Sequence, residues 1–336
     1  RWHRKGYWEQ DLVDYGTENL KTSFGMHYLF DNSMELFSSS NFSTGTTVYQ
    51  GDNRFSLRNI RFFQNKLELK KDNDFFIRLY ATHEDAGDSY DAVLTAFQLQ
   101  NAAASDVDYH ELYKTYWRDN ISPKVESLDP SVNWLPYFDP VTQTAYPVNF
   151  TDIFNVIDNI PVDSLVTWHQ QTANNANSSH PNMGVNSFYE VGTKRFDSLF
   201  NEVISTASVL DGGSKIVDKS ALYHGHGEKI WKNDLGKITL GSNFRIYTPK
   251  SGGSLFSDTS SISSNGDTII NKIINKEVGG YLGLEKSFLR DQLILKGSMR
   301  LDKNQNFNII PTQAISGIFN INEYHTIRST FTSAIR

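Results

Sequence analysis

The chain has 336 residues, a formal charge of -6 from 32 basic and 38 acidic side chains, and no cysteine. The lack of cysteine excludes a disulfide scaffold and thiolate metal or redox chemistry, and no block of Lys and Arg is dense enough to follow a phosphate backbone, so nucleic acid is not an expected partner. Mean hydropathy is -0.46, which fits a soluble protein and equally a membrane barrel, where only alternate strand residues meet lipid; no apolar run approaches the roughly 20 residues of a spanning helix.

In chain order, about ten segments alternate with period two, many near the 9 to 11 residues of a tilted membrane strand rather than the five or six of a soluble one. The chain opens Arg1-Trp2-His3-Arg4 and stops at Ala334-Ile335-Arg336 inside an alternating run, so both ends are expected to be cuts. Leu20, Phe24, Met26, Tyr28 and Phe30 oppose Lys21, Ser23 and His27. Segments 34–48 and 59–71 follow, less regular. Phe75, Ile77, Leu79 and Ala81 oppose Phe76, Arg78, Tyr80 and Thr82, and 220–231 is interrupted by Gly225 and Gly227. Ile238, Leu240, Phe244 and Ile246 oppose Thr239, Asn243 and Arg245; from Leu293 the apolar Leu295, Met299 and Leu301 oppose Lys296, Ser298, Arg300 and Asp302. The last run sets Ile327, Phe331 and Ile335 against Arg328, Thr330 and Arg336.

Short turns are expected at Asp31-Asn32-Ser33, Asp72-Asn73, Lys232-Asn233-Asp234, Arg290-Asp291 and the stretch from Asn320 to Glu323, all rich in turn-forming residues. Long links are expected between them at 49–58, 84–219, 249–275 and 302–308. Short turns at one end and long loops at the other are a barrel's asymmetry. The link 84–219 is too long to be structureless, so it is read as a folded extracellular insertion over the barrel mouth. Helical spacing gathers Tyr109, Leu112, Tyr113, Tyr116 and Trp117 over 107–119, and Phe196, Leu199, Phe200 and Val203 over 193–210 before Gly212-Gly213. Between them five prolines interrupt regular structure, and Trp134, Tyr137, Phe138 and Tyr146 offer aromatic surface.

No nucleophile elbow, P-loop, zinc-protease or dinucleotide motif is present, so an enzyme is not expected, and no cofactor or metal is assigned. Asp302 to Asn306 imitates half a calcium loop, but Phe307 and Gln313 stand where Gly and Glu belong. His224-Gly225-His226 could seat a metal on one strand face, and Glu84, Asp85, Asp88 and Asp91 could hold calcium; the plainer readings are polar wall residues and a solvated loop base. Arg78, Tyr80, Asn243, Arg245, Lys296, Arg300 and Arg328, with Glu285, are expected to face a wet lumen, since Arg or Lys on the lipid side costs about 2 to 4 kcal/mol at mid-bilayer. Their roles are ligand passage, contact with a plug, or simply a hydrated wall. Trp117, Trp134, Tyr137 and Phe138 are the loop candidates for ligand or partner contact. Tyr7, Trp8, Trp231 and Tyr247 are read as an interfacial girdle or as ordinary strand aromatics.

Gly6-Tyr7-Trp8, Thr46 to Phe55 (TTVYQGDNRF), Glu84 to Asp91 (EDAGDSYD), Asp302 to Phe307 (DKNQNF) and the closing Phe331 to Arg336 (FTSAIR) resemble TonB-dependent receptors of Bacteroidota. The matches span nearly the whole chain and are poorest over 120–190. The resemblance implies a 22-stranded outer-membrane barrel filled by an N-terminal plug, with TonB-energised ligand uptake and no covalent chemistry. About ten strands make less than half of such a barrel, so the whole chain, 1–336, is expected to be a middle part of one barrel domain, with 84–219 inserted in it. The implied location is the outer membrane of a Gram-negative bacterium. Implied partners are the TonB-ExbB-ExbD complex through a plug, outer-membrane lipid, an unidentified ligand, and a surface lipoprotein or complex subunits. Three other readings stand beside this one: a non-transporting, receptor-like barrel serving as a structural or assembly subunit; an outer-membrane enzyme; and a soluble all-β binding protein.

Overall fold

The computed structural model describes residues 4–207, 209–252, 258–265 and 267–333. The chain divides into two compact units: a helical one of residues 1–13, 92–205 and 212–214, and a sheet unit of 14–91, 206–211 and 215–336.

Ten long strands build the sheet unit: β1 Glu18–Leu29, β2 Met34–Gln50, β3 Arg54–Lys71, β4 Phe75–Asp85, β5 Ala221–Asn233, β6 Gly236–Thr248, β7 Asn275–Phe288, β8 Leu293–Asn304, β9 Ile310–Asn322 and β10 His325–Thr332. Each pairs antiparallel with the next, so the sheet order is the chain order from β1 to β10. This is the fold class that the alternation predicts: all-β and antiparallel, with strands of barrel-wall length and a long, partly helical insertion between β4 and β5. Directly paired residues share a face, so the registers carry the two-face pattern across the whole sheet.

The connections keep the predicted asymmetry with two corrections. At one end the turns are tight, as at Asp234-Leu235 and Glu323-Tyr324, and Ser33 (φ 64) and Asn73 (φ 56) take left-handed backbone there. At the other end lie 86–220 and 249–274, but the link expected at 49–58 is only Gly51-Asp52-Asn53, and the link expected at 302–308 narrows to 305–309. The difference at 49–58 has a physical cause. β2 and β3 run on past their neighbours as a tall hairpin: β3 pairs with β4 only from Arg61 onward, and Phe55-Ser56 pairs instead with Tyr90-Asp91. A loop-rich composition over 50–54 and a register shift near Gly45 hid two continuous strands. Gly87 packs beneath this hairpin with φ +62, where a Cβ would strike the Arg58 and Asn59 carbonyls.

In the helical unit, α1 is Glu9–Leu12, α2 Ala92–Ala103, α3 Asp106–Tyr116, α4 Ser122–Glu126, α5 Phe150–Asp158, α6 Val162–Ala176 and α7 Lys194–Ser205. Ser105 caps α3 by accepting the Asp108 N–H at 3.1 Å, and Asp106 and Asp108 sit in its first turn, where the helix dipole favours anions. Tyr109, Leu112 and Tyr113, spaced three and four apart, bury one face of α3 against Ala104, Ala176 and Val185. A π-turn over Trp117–Ile121 then re-aims the chain into a second core of Ile121, Val125 and Ile160. The helix expected over 193–210 stops at Ser205, before the Gly212-Gly213 pair read as its stop. The expected residues Ile335 and Arg336 lie outside the described residues.

Candidate functional site: the polar face of the sheet

One face of the sheet carries the large apolar side chains, interrupted by Ser38 and Ser40 on β2, Asn65 on β3, Lys229 on β5, Ser242 on β6 and Gln313 on β9: Phe24 and Met26 on β1, Leu67 on β3, Ile77 and Leu79 on β4, Leu240 and Phe244 on β6, and Leu282 and Leu284 on β7. They continue through Leu295 and Met299 on β8, Ile315 on β9, and Ile327 and Phe331 on β10. These side chains are open rather than packed in a core, with Phe24 67% exposed, Leu282 54% and Ile315 62%.

The opposite face carries the polar residues that the sequence assigns to a wet lumen. Arg78 and Tyr80 pair with His226 and His224; those pair with Asn243 and Arg245, which meet Gly279 and Glu277; Lys296 and Arg300 lie opposite Glu285 and Tyr281; and Arg328 is opposite Ile318. The seven candidates therefore share one face, and six of them lie on β4, β6 and β8.

A polar network links them. Arg78 and Lys66 both pair with Glu68, which is 7% exposed, the Lys66 contact at 3.2 Å. The Tyr80 hydroxyl bonds His224 Nδ1. Tyr281 donates to Glu228 at 2.5 Å and lies 3.0 Å from His226 Nε2. Arg300 donates to Asn243 at 2.7 Å and to both oxygens of Asp302, Lys296 pairs with Glu285 at 2.7 Å, and Arg245 with Glu277 at 3.8 Å. Two glycines make room: a Cβ on Gly241 would enter the Tyr281 ring, and one on Gly279 would strike Asp302 and come within 2.7 Å of Arg300 and 2.8 Å of Asn243. The acidic partners Glu68, Glu228, Glu277 and Asp302, and Tyr281, were not chosen from sequence as site residues, although each sits at an alternate strand position. Identifying them needs cross-strand register, which a single strand's pattern does not contain.

The other motifs are spent locally. His224 and His226 do share a face, but their ring nitrogens meet tyrosine hydroxyls, and no group of three metal-binding side chains occurs among the described residues. The acidic cluster is dispersed: Asn59 donates to Asp88 at 2.8 Å, Asn53 to Asp91 at 2.6 Å, and Asp85 receives the Gly87 N–H at 2.9 Å. Asp302 is held by Arg300, and Asn304 receives the Asn306 N–H at 2.9 Å in a turn.

In the helical unit, Trp117 stacks on Tyr113 and His169 and touches both cores, and Trp134 packs on the second core. Tyr137 and Phe138 stay exposed on a small hairpin, Tyr137–Asp139 with Thr144–Tyr146, where Tyr137 stacks on Tyr146. The girdle reading needs correcting. Tyr7 belongs to the helical unit, stacked on Phe188 and donating to the Tyr189 carbonyl at 3.0 Å, Trp8 begins α1, and Tyr247 falls on the polar face; of the four, Trp231 lies at a strand end on the apolar face. Arg4 anchors the same segment, donating to the Gln100 carbonyl at 2.6 Å and lying over Tyr109. Burial, reinforced by neighbouring Tyr113, pushes the Tyr109 phenol up to about 12, so it stays neutral and packed throughout the physiological range.

No family model and no curated protein matches the chain. Among solved structures, the ferric enterobactin receptor of Pseudomonas aeruginosa aligns with a TM-score of 0.44 and 10% identity, over 94% of this chain and 33% of the receptor. The β domain of the Bordetella autotransporter BrkA aligns with a TM-score of 0.25 and 8% identity, over 94% of this chain and 82% of that domain. The chain thus spans about one third of the receptor's length.

Proposed function

We propose that the sheet unit is part of the wall of an outer-membrane β-barrel in a Gram-negative bacterium, and that the protein is a TonB-dependent receptor that carries a ligand inward. One observation carries the membrane reading. On the apolar face, Lys276 and Lys286 of β7 bracket Val278, Gly280, Leu282 and Leu284, and on β3 the same ten-residue spacing separates Arg61 from Lys71. Ten residues at about 3.3 Å each, tilted by roughly 40°, span about 25 Å, the height of a barrel's lipid band. Charges flank the band, and its exposed leucines and phenylalanines would each cost about 1.5 to 3 kcal/mol in water.

The polar face then lines the interior, where Arg78, Tyr80, Asn243, Arg245, Lys296, Arg300 and Arg328 offer fixed donors to a passing ligand or to a plug. The chain enters and leaves the insertion at the loop-bearing end of β4 and β5, which on this reading is the extracellular end, and Tyr137 and Phe138 of the insertion offer aromatic contact. Energy for uptake comes from TonB-ExbB-ExbD, acting through a plug. The protein performs no covalent chemistry and needs no cofactor.

A second reading, a structural subunit of an outer-membrane complex, draws on the helical unit, where Phe150 and Phe154 of α5 and Val162 and Val166 of α6 remain exposed. Growth separates the two. Cells lacking the protein should leave in the medium a nutrient that wild-type cells deplete, and dissipating the wild-type proton-motive force should give the same residue. Depletion unchanged by either treatment contradicts transport and favours the structural subunit.

A further inference from the structure

A groove crosses the apolar face obliquely. Its floor is the cross-strand row Gly227, Ser242 and Gly280, where β5, β6 and β7 present little or no side chain, and the recess over them measures 890 Å³. The row begins at Ile77, the third residue of β4 after its tight turn, and ends at Leu301, the fourth residue from the end of β8. The groove therefore climbs from the turn end of the sheet to the loop end. Leu240, Leu282 and Met299, one row nearer the turns, form its lower wall. Four strand spacings of about 4.8 Å give it a length of about 19 Å, against about 15 Å for one leaflet's half of the hydrocarbon core.

Two lysines stand over the upper end. Lys303 is two residues beyond Leu301 on the same face, opposite Val278, and Lys276 is two residues before Val278, so the two are diagonal neighbours, about 7 to 8 Å apart at the backbone. Lys303 spends one of its three donors on the Phe307 carbonyl, and Lys276 Nζ has no hydrogen bond or ion pair among the described residues. From β5 to β9 the strands carry no carboxylate on this face, so nothing on them offsets the two charges. From this arrangement we infer that the groove holds one acyl chain of an outer-leaflet lipid whose phosphate sits between Lys276 and Lys303. The inference rests on the membrane reading above, which puts the loop end outside. In a bilayer an apolar recess on the lipid side is filled by hydrocarbon, and ammonium groups at the membrane surface attract anionic headgroups. The groove opens directly beneath the lysines, so one molecule meets both features.

The test places the full-length protein in phosphatidylcholine vesicles containing equal small amounts of lipid A, a phosphate-bearing outer-leaflet lipid, and phosphatidylglycerol, then extracts it in detergent and measures the lipid that stays bound. The wild type should retain lipid A over both others. Lys276→Gln with Lys303→Gln should weaken retention about 25-fold, about five-fold for each lysine, whereas Lys286→Gln at the turn end of β7 should leave it unchanged. Gly280→Leu, which fills the floor, should weaken it with both lysines in place. Retention that ignores either the lysine pair or Gly280→Leu overturns the site, as does equal retention of phosphatidylglycerol or an equal loss in Lys286→Gln. Leu282→Cys separates this failure from that of the membrane reading. If a water-soluble maleimide labels it freely, the membrane reading fails and the lipid site with it; if it resists labelling and no lipid A is retained, the lipid site alone is overturned.

Discussion

Replacing Leu282 by arginine is expected to remove about 2 to 4 kcal/mol of folding free energy in a bilayer, enough to abolish assembly of a protein of ordinary marginal stability. Leu282 sits at the centre of the apolar band, paired with Leu240 on one side and Met299 on the other. A guanidinium there has neither water nor a carboxylate within its row. The matched control is Thr239→Arg on the neighbouring strand. Thr239 lies on the polar face opposite Gly283, with Glu228 and Glu285 at diagonal positions, so the same side chain gains partners and should change stability by no more than about 0.5 kcal/mol. Urea unfolding in lipid vesicles measures both. Equal losses at the two positions would mean that the faces do not differ in solvent.

The second large effect is at Gly279. A Cβ there already meets Asp302, Arg300 and Asn243, so Gly279→Leu must push the Arg300 cluster apart. Overpacking costs about 1 to 3 kcal/mol, and the separated guanidinium and carboxylate lose charge-assisted hydrogen bonds as well. Gly280→Ala, one residue along, places its methyl on the apolar face, where its nearest neighbour is the Gly241 carbonyl at 3.7 Å, and should be tolerated. Vesicle unfolding again separates them. Similar destabilisation by both would indicate a general need for flexible backbone in β7 rather than room for Arg300.

Much of the sheet is legible in the sequence because a strand with one apolar and one polar face writes its period into every second residue. Leu20 to Phe30, Phe75 to Thr82, Lys237 to Ile246 and Leu293 to Asp302 each fix their faces without reference to a neighbour. The tall β2–β3 hairpin was not legible, since Gly51-Asp52-Asn53 reads as the middle of a loop and the strands beside it carry serine, threonine and asparagine on both faces. Gly225 is a similar case. It looks like a hole in the strand pattern, and in the sheet the hole is filled by the Phe244 ring across the ladder. For the site, the seven polar residues could be placed on one face from alternation alone, but their acidic and tyrosine partners lie on other strands. The helical patterns marked the right core residues in α3 and α7; that Trp117 and Trp134 are half-buried against the two cores was not legible, because burial of an aromatic side chain depends on packing that a local pattern does not encode.

The central claim is that one face of this sheet meets lipid and the other meets water, and single cysteines along β7 test it most directly. In native outer membranes, a water-soluble maleimide should label cysteines at Gly279, Tyr281, Gly283 and Glu285 and spare those at Val278, Gly280, Leu282 and Leu284. Labelling with the opposite phase, or without a period of two, would contradict the account.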